Sequence, residues 1–441
     1  MKILLLRCEE SRSKYDFQGI IENEPLDLEI IYTLLKDKHD VTIFDKQVEK
    51  DSVKKHLLNN HYDVLYVEAR SFQESFALEY IHDFKQICKG KCIVGGQHAQ
   101  LNYSRFYDDD VDYILCGYNY YDLDRIINDD IQGVNNLCYR QDNEFICNEF
   151  KMVEIDDLPL ADRSYFYQHP DRYQYLDIKH AMWIRSAFSC PYRCKFCLRN
   201  KMNMSSYCRR SVLDLVNEIK INDNENVYIV DDDFLYDRNY IMNFIDLIKT
   251  ENIKRNYICY GRSDFIAANE DIMKQFKEIG LKYVLVGIED IYDNRLNDYN
   301  KLNNTSNNLK CIEICQKYDI NLMAMFIIGL DFKTKDFYDL YAYIKKHHLR
   351  HVAVSIYTPE IGLDHDKEYI SDNPCDFDYL HLVCKPDYLS VKEFYFHYYI
   401  LLIRLFIKGY REKVYDFIDY GDYIRSFIKN IFKVNRNENI V

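Results

Sequence analysis

Three cysteines that lie close together in the sequence are the residues best suited to chemistry. Cys190, Cys194 and Cys197 have the spacing C-x3-C-x2-C, so their sulfurs can converge on one metal centre. Zinc would require a fourth close ligand, and the nearest cysteine, Cys208, follows eleven residues later at no standard spacing. A cubane iron–sulfur cluster held by three thiolates leaves one iron open to a substrate or cosubstrate. The spacing therefore favours such a cluster.

Polar side chains that follow predicted strands form a second group of candidates. Asp231, Asp232 and Asp233 directly follow an apolar strand, where they either contact a ligand or form a solvated loop. Arg262 follows the next strand and can pair with a carboxylate through two hydrogen bonds or form a surface ion pair. Glu289 follows the strand after that, and its carboxylate can accept hydrogen bonds from two hydroxyl groups, as a ribose offers.

These candidates are carried by a regular alternation of strands and helices. The sequence predicts six strands, at 181–186, 227–230, 257–260, 283–286, 322–328 and 352–356, with helices between them. In a parallel α/β barrel, the loops after the strands share one face, which holds the active site. Six units are fewer than the eight of a closed barrel, so we expect an open, partial barrel.

The first 130 residues show the same alternation with five shorter strands, which predicts a doubly wound, flavodoxin-like parallel sheet. Gly95, Gly96, Gln97 and His98 follow the fourth strand, and Gly117 follows the fifth. Doubly wound folds bind ligands at this edge of the sheet, and paired glycines let the backbone approach a large ligand. We therefore expect a second ligand site there.

The chain divides into four predicted parts. A connecting segment with a possible hairpin at 136–150 follows the first sheet, and a small helical cap with helices at 389–407 and 413–431 follows the barrel. The expected bounds are 1–130 for the flavodoxin-like domain, 131–178 for the connecting segment, 179–365 for the barrel and 366–441 for the helical cap.

Composition limits the possible environment and partners. The 441 residues carry a net charge of −14, which disfavours nucleic acid as the main partner. The N-terminus lacks the features of a signal peptide, and no apolar stretch is long enough to span a membrane. The 15 cysteines are therefore expected to be reduced thiols of a cytoplasmic protein, with the twelve outside 190–197 isolated from one another.

The cysteine segment resembles the radical S-adenosylmethionine (SAM) superfamily, because an aromatic residue precedes the last cysteine and the segment ends the first barrel strand. The resemblance implies that Cys190, Cys194 and Cys197 hold a [4Fe-4S] cluster. It also implies that the open iron binds the amino and carboxylate groups of SAM, which one electron cleaves to a 5′-deoxyadenosyl radical. The SAM contacts that it implies are Phe196, Asp231, Asp232, Asp233, Arg262, Glu289 and Gly329, the last of which is equally suited to barrel packing.

The N-terminal domain resembles the cobalamin-binding branch of that superfamily. Ile93–His98 is similar to the GG-x-H loop of this branch, and the likeness extends into the tail around 378–386. The sequence lacks the Asp-x-His-x-x-Gly signature that supplies a histidine to cobalt, as do many members of the branch. The resemblance implies cobalamin contacts from Gly95, Gly96, Gln97, His98 and Gly117, with His98 as a polar loop residue and not a cobalt ligand.

The combined resemblance implies a cobalamin-dependent radical SAM enzyme that methylates an unactivated carbon, with an electron donor of the reductase or flavodoxin type. The acceptor, whether a small molecule, lipid or peptide, and any further catalytic residue are not identified. Cyclisation or rearrangement with the same cofactors is one alternative. A methylthiotransferase is another, although Cys8, Cys88 and Cys92 do not form the second cysteine set that such enzymes carry. A metal- or cobalamin-binding protein that does not cleave SAM is the alternative outside enzymes.

Overall fold

The computed structural model describes residues 1–9, 21–142, 144–361, 367–414 and 416–417. The strands of the first sheet are β1 (Lys2–Arg7), β2 (Asp40–Asp45), β3 (Val64–Glu68), β4 (Lys91–Gly95), β5 (Tyr113–Leu115), β6 (Leu137–Gln141) and β7 (Glu144–Cys147). Its helices are α1 (Leu26–Leu35), α2 (Val53–Asn59), α3 (Glu74–Ile87), α4 (Gln97–Asn102) and α5 (Leu123–Ile127), and α6 (Ser164–Tyr167) follows it.

The strand order of this sheet is β2-β1-β3-β4-β5-β6-β7, with the first five strands parallel. The order 2-1-3-4-5 is that of flavodoxin, so the predicted doubly wound fold is confirmed. The interior strand β1 has Ile3, Leu4, Leu5 and Leu6 buried on both faces. Such a strand needs cover on both sides, which the helices supply.

The predicted hairpin forms and extends this sheet. Strand β6 pairs antiparallel with β5 and β7 pairs antiparallel with β6, so the sheet continues beyond residue 130. Cys138 and Cys147 lie directly opposite each other in the hairpin and form a disulfide. The expectation of isolated, reduced thiols is therefore wrong for this pair, because strand register brings together cysteines that are nine residues apart. The predicted domain bounds remain a prediction.

The second sheet contains six parallel strands. Its region comprises β8 (Ala181–Ile184), β9 (Ala187–Phe188), β10 (Cys208–Arg209), β11 (Asn226–Ile229), β12 (Asn256–Gly261), β13 (Leu281–Glu289), β14 (Asn321–Ile328) and β15 (His351–Ile356). The order is β15-β14-β13-β12-β11-β8, while β9 and β10 form a separate antiparallel pair. This sheet has six parallel strands, fewer than the eight of a closed barrel, which confirms the predicted partial barrel.

Helices connect the strands of this partial barrel and continue beyond the last one. They are α7 (Met202–Ser205), α8 (Val212–Ile221), α9 (Arg238–Thr250), α10 (Ser263–Ala268), α11 (Glu270–Glu278), α12 (Asp293–Asp298), α13 (Thr305–Lys317), α14 (Thr334–Lys346) and α15 (Val391–Arg411). Several begin at a side chain that accepts a hydrogen bond from the first turn, as Ser211 does for α8 and Asp237 for α9. Such caps satisfy backbone N–H groups that have no partner within the helix.

The predicted helix at 389–407 is confirmed as α15. Ser390 and Glu393 form a capping box at its start, and Phe394 packs edge-to-face on Phe337 of α14 at 5.6 Å. The second predicted helix of the cap, at 413–431, lies almost wholly outside the described residues. In the part of the chain that the structure describes, no helix is both long and apolar enough to cross a membrane.

Candidate functional site

A cavity of about 1260 Å³ lies between the carboxyl edge of the first sheet and the inside of the partial barrel. Both sheets contribute to its wall, as do the cysteine segment and α15. Ligand pockets commonly have volumes of roughly 300–1,000 Å³. This cavity therefore has room for more than one small molecule.

All three clustered cysteines line this cavity. Cys194 is only 8% exposed. Burial raises the pKa of Cys190 to about 12 and that of Cys197 to about 11, so each thiol stays protonated unless a cation stabilises the thiolate.

The cysteine segment is held by hydrogen bonds to its backbone. The side-chain amide of Asn200 donates to the carbonyl oxygens of Cys194 and Cys197, at 3.1 Å each. The backbone N–H of Lys195 donates to the carbonyl of Tyr299 at 3.0 Å. These bonds fix the backbone of the segment, while the three cysteine side chains line the cavity.

Asp231 does not line the cavity, so the geometry gives no support to its expected role as a SAM contact. Its carboxylate accepts hydrogen bonds from the backbone N–H groups of Ser186 at 2.6 Å and Ala187 at 3.0 Å, and from the Ser186 hydroxyl. These bonds join the end of β11 to the segment that leads into the cysteines. Asp231 is therefore a structural residue.

Asp232 and Asp233 both line the cavity. Asp232 lies 3.3 Å from Arg199, and burial raises its pKa. Asp233 is 5% exposed, and neither carboxylate oxygen has a hydrogen-bond partner among the described residues. Burial raises the pKa of Asp233 to about 7, although Arg262 and Lys301 oppose the shift. A buried carboxylate without a partner is costly, so this side chain is suited to a cationic ligand.

Arg262 lines the cavity but is already engaged. Its guanidinium donates to both carboxylate oxygens of Asp264 at 3.0 Å and to the carbonyl of Lys301 at 2.7 Å. It also lies over the ring of Tyr192, 3.7 Å from the centroid. It is buried, so the alternative of a surface ion pair is wrong.

Glu289 is paired with a lysine that the sequence did not single out. The Lys301 ammonium donates to Glu289 Oε1 at 2.7 Å, and both side chains line the cavity. Glu289 has a φ of +63° and folds back over Gly287, where an added Cβ would lie 2.0 Å from Oε1. The Lys301 ammonium also lies 5.9 Å from the ring centroid of Phe196, another predicted site residue in the cavity wall.

Gly329 does not contribute to the cavity wall. A Cβ at this position would lie 2.4 Å from Asp331 Oδ1 and 2.9 Å from the hydroxyl of Tyr299. The glycine is therefore required for close packing after β14. Of its two expected roles, barrel packing is the one that fits the geometry.

The predicted glycine loop of the first sheet reaches the cavity through two residues, Gly96 and Gln97. Gly96 has a φ of +92°, a conformation that favours glycine. Gly95 and Gly117 lie behind the wall, where a Cβ would approach Tyr66 to 2.1 Å and Asn136 to 2.7 Å. Gly95 and Gly117 thus pack closely against these side chains, and the geometry gives no support to their expected role as cobalamin contacts.

His98 is completely buried outside the cavity. One ring nitrogen lies 2.7 Å from Glu74 and the other 3.6 Å from Glu360, which follows β15. Burial lowers the pKa of His98, but these carboxylates outweigh it and leave the pKa raised. Glu360 also accepts hydrogen bonds from Ser71 and from Asn102 at 3.2 Å. His98 therefore joins the two sheets and does not line the cavity, so the geometry gives no support to its expected role as a cobalamin contact.

A second cation in the wall, the half-buried Arg185, was also missed. Arg185 donates to both carboxylate oxygens of Asp27, at 2.6 and 3.0 Å. Its guanidinium lies near the rings of Tyr118 and Phe188, which stack on each other 3.9 Å apart. Asp27 begins α1 and Arg185 follows β8, so only the assembled fold brings them together.

Comparison with known families identifies the barrel region. Residues 184–367 match the model of the radical SAM superfamily. The cobalamin-dependent S-adenosylmethionine radical enzyme OxsB, solved with aqua-cobalamin and S-adenosylmethionine, superposes with a TM-score of 0.64 at 16% identity. The match covers 82% of this chain and 53% of OxsB, so the two share a fold while this chain spans about half of that protein.

Comparison with curated proteins gives relatives of low identity. The bacteriochlorophyllide d C-8(2)-methyltransferase of Chlorobaculum tepidum is 23% identical over 82% of this chain and 80% of its own length. The hopanoid C-3 methylase of Methylococcus capsulatus is 24% identical over 34% of this chain and 29% of its own length. An anaerobic magnesium-protoporphyrin IX monomethyl ester cyclase of Synechocystis is 21% identical over 47% of this chain and 42% of its own length.

Proposed function

Because the chain belongs to the radical SAM superfamily, we propose that it is a [4Fe-4S] enzyme that cleaves SAM and, with cobalamin, methylates an unactivated carbon. The observation that carries this proposal is the placement of three cysteines in the wall of a cavity that two cofactor-binding folds share. When bound, the reduced cluster supplies an electron for cleavage of SAM, and cobalamin carries a methyl group.

The residues around the cysteines suit the methionine part of SAM. Asp233 is a buried carboxylate without a partner, and an ammonium group beside it would satisfy both its charge and its hydrogen bonds. Lys301 and Arg262 place positive charge nearby and suit a carboxylate. Since Lys301 is paired with Glu289, SAM would share that lysine or release Glu289 toward the ribose hydroxyls.

The first sheet suits a large cofactor at its carboxyl edge. Gly96 and Gln97 line the cavity there, and Gly96 has no side chain to limit the approach of a ligand. Tyr118 and Phe188, which also line the cavity, provide stacked aromatic surface. The solved relative with the same fold is described with aqua-cobalamin bound. We therefore assign the cobalamin site to this side of the cavity, with no histidine of the GG-x-H loop available to cobalt.

Methylation is favoured over the alternatives by the relatives that match. The relative with the longest match named above is a C-methyltransferase, and a second is a methylase. Cyclisation is the second candidate, because a monomethyl ester cyclase also matches. Both reactions require an electron donor of the reductase or flavodoxin type, which we place with the enzyme in the cytoplasm.

Anaerobic reconstitution tests the proposal. The chain should bind about four iron atoms, and addition of SAM and a reductant should release 5′-deoxyadenosine. Cobalamin added to the same sample should remain with the protein through gel filtration and show a protein-bound absorption spectrum. SAM with a deuterated methyl group should then give methylcobalamin that carries deuterium. A fully loaded cluster without SAM cleavage would reject the enzyme, and cleavage without cobalamin binding would reject the methyltransferase.

A further inference from the structure

We propose that the acceptor enters the inside of the partial barrel as a bulky, uncharged, apolar molecule, and this inference rests on the proposed function. The barrel slot is the part of the cavity lined by inward side chains of six strands, namely Trp183, Tyr228, Tyr260, Leu285, Met323, Met325 and Ala353. Side chains alternate across a strand, so these residues share the inner face of the sheet.

One wall of the barrel slot is aromatic. Trp183 packs edge-to-face on Tyr228 at 5.7 Å, and Tyr228 stacks with Tyr260 at 6.1 Å and an angle of 29°. Tyr175 closes the far end of this wall, 5.1 Å from Tyr228. Rings in such contact present a continuous apolar surface with weakly polar edges.

The opposite wall of the barrel slot is formed by aliphatic and thioether side chains. Leu285, Met323, Met325 and Ala353 come from β13, β14 and β15. Thioether side chains adapt their shape and make favourable contacts with aromatic rings. A ligand between the two walls would bury apolar surface on both of its sides, at roughly 25 cal/mol for each Å² removed from water.

None of the seven side chains that define the barrel slot carries a formal charge, whereas other parts of the cavity wall do. Asp233, Arg262 and Glu289 follow the carboxyl ends of their strands, near the cysteines. At the opposite end, His351 begins β15, and burial lowers its pKa to about 4, so it is neutral at pH 7. A charged group among the seven slot side chains would lose water without meeting a counter-ion in the slot lining. An acceptor must therefore direct its apolar part into the slot, with the reacting carbon toward the cysteines.

Helix α15 provides an apolar route into the slot. Ile403 and Phe406 line the cavity and are nevertheless 54% and 45% exposed, so they form part of its mouth. Leu402 lies beside them and is also part of the lining. A hydrocarbon can thus pass from solvent into the slot over apolar side chains. A peptide or nucleotide would lose solvation of its polar groups along the same route.

Trp183 makes this proposal measurable because it is the single tryptophan of the sequence. The full-length chain, before reduction, is titrated with the neutral polycyclic probe 1-aminoanthracene while the fluorescence of Trp183 is followed. We expect saturable quenching with one probe per chain. Ala353→Phe fills the slot and should weaken binding by at least about tenfold, and Ala353→Leu should weaken it less. Ala268→Phe, at the exposed end of α10, is the matched control and should bind like the parent chain.

The outcomes separate this inference from the proposed function. Trp183→Phe should still enhance the fluorescence of the probe but give no tryptophan signal. Equal affinity of the parent chain, Ala353→Leu and Ala353→Phe would overturn the slot assignment, as would saturable binding without quenching of Trp183. If 5′-deoxyadenosine forms normally while either of these results is obtained, only the apolar acceptor is rejected. If the probe binds as expected and SAM is not cleaved, the proposed function fails instead.

Discussion

An ionised Asp233 destabilises the folded chain, but the same charge favours binding of a cationic ligand. Its carboxylate is buried without a hydrogen-bond partner in the described structure, and its pKa is raised to about 7. A raised carboxyl pKa means that the folded state resists ionisation. The resulting loss of stability begins as pH rises through the ordinary pKa of 3.8 and is complete above about 7.

Replacing Asp233 by asparagine should therefore have opposite effects on stability and on binding. Above pH 7 we expect Asp233→Asn to raise the free energy of unfolding by about 1–3 kcal/mol, since no buried charge remains. The same variant should bind SAM at least about tenfold more weakly, because the ammonium loses its counter-ion. Denaturant unfolding at pH 5 and 8 and equilibrium dialysis measure the two effects. A variant that is less stable at pH 8, or that binds SAM normally, would contradict this role.

The three cysteines give a prediction with a built-in control. Serine at Cys190, Cys194 or Cys197 should lower the iron bound after reconstitution and abolish formation of 5′-deoxyadenosine, because each thiolate is expected to hold one iron. Cys208 is nearby in sequence and buried, and its thiol donates to the carbonyl of Val153 at 3.4 Å. Cys208→Ser should retain the iron. If the bound iron fell only in Cys208→Ser, the assignment of Cys190, Cys194 and Cys197 as the ligands would be wrong.

The neighbouring residues Asp231 and Asp233 show what the sequence could not predict about single side chains. Their position after an apolar strand was enough to predict that the loop reaches the site. Whether a given carboxylate points at the cavity or at the backbone of Ser186 depends on loop conformation, so Asp231 could not be distinguished from Asp233. Lys301 follows α12 and belongs to no strand end, so no pattern indicated it.

At the scale of elements, the GG-x-H loop is connected to the barrel through a buried ion network. His98 follows the first residue of α4, Glu74 begins α3 and Glu360 follows β15. Arg105 donates to both carboxylate oxygens of Glu74. With His98 protonated, two cations and two carboxylates balance. The network sets the position of the loop that carries Gln97 relative to the barrel.

His98→Gln tests whether this histidine acts through position or through cobalt. We expect weaker binding of cobalamin, since the loop loses its tie to Glu360, with an unchanged electron paramagnetic resonance spectrum of the cob(II)alamin that remains bound. A histidine ligand would add nitrogen splitting to that spectrum. Loss of nitrogen splitting in His98→Gln would refute the structural role. Asn102→Ala, which removes a weaker contact to Glu360, should change affinity less.

At the scale of the whole molecule, one shared cavity requires the two sheets to keep a fixed relative position. Arg163 contributes to this through buried ion pairs with Glu24, which precedes α1, and with Glu218 of α8 at 2.7 Å. It also donates to the carbonyl of Trp183 at 2.7 Å. Removing one partner from a buried ion network leaves uncompensated charge.

Arg163→Met should therefore lower the free energy of unfolding by about 3–5 kcal/mol, because Glu24 loses its counter-ion and Glu218 keeps only Arg210. Denaturant titration checks this value. Arg125→Met is the matched control, since Arg125 pairs with Asp130 at the surface and should be nearly neutral. Equal midpoints for the two variants would show that the buried network does not hold the sheets together.

The architecture of both sheets could be predicted because strand and helix periodicity is local. The continuation of the first sheet into β6 and β7 could not, because pairing between β5 and β6 depends on tertiary contacts that periodicity does not encode. The disulfide between Cys138 and Cys147 depends on the same register. The barrel slot likewise emerges only when inward side chains of six strands are placed around one axis.

The central claim is that one iron of a three-cysteine cluster is open and binds SAM. It is tested most directly by the electron paramagnetic resonance spectrum of the reduced, reconstituted chain before and after addition of SAM. We predict that SAM changes the g values of the cluster, and that SAM labelled with nitrogen-15 in its amino group adds a measurable hyperfine coupling. A spectrum that SAM leaves unchanged, from a chain that holds its full complement of iron, would contradict the account.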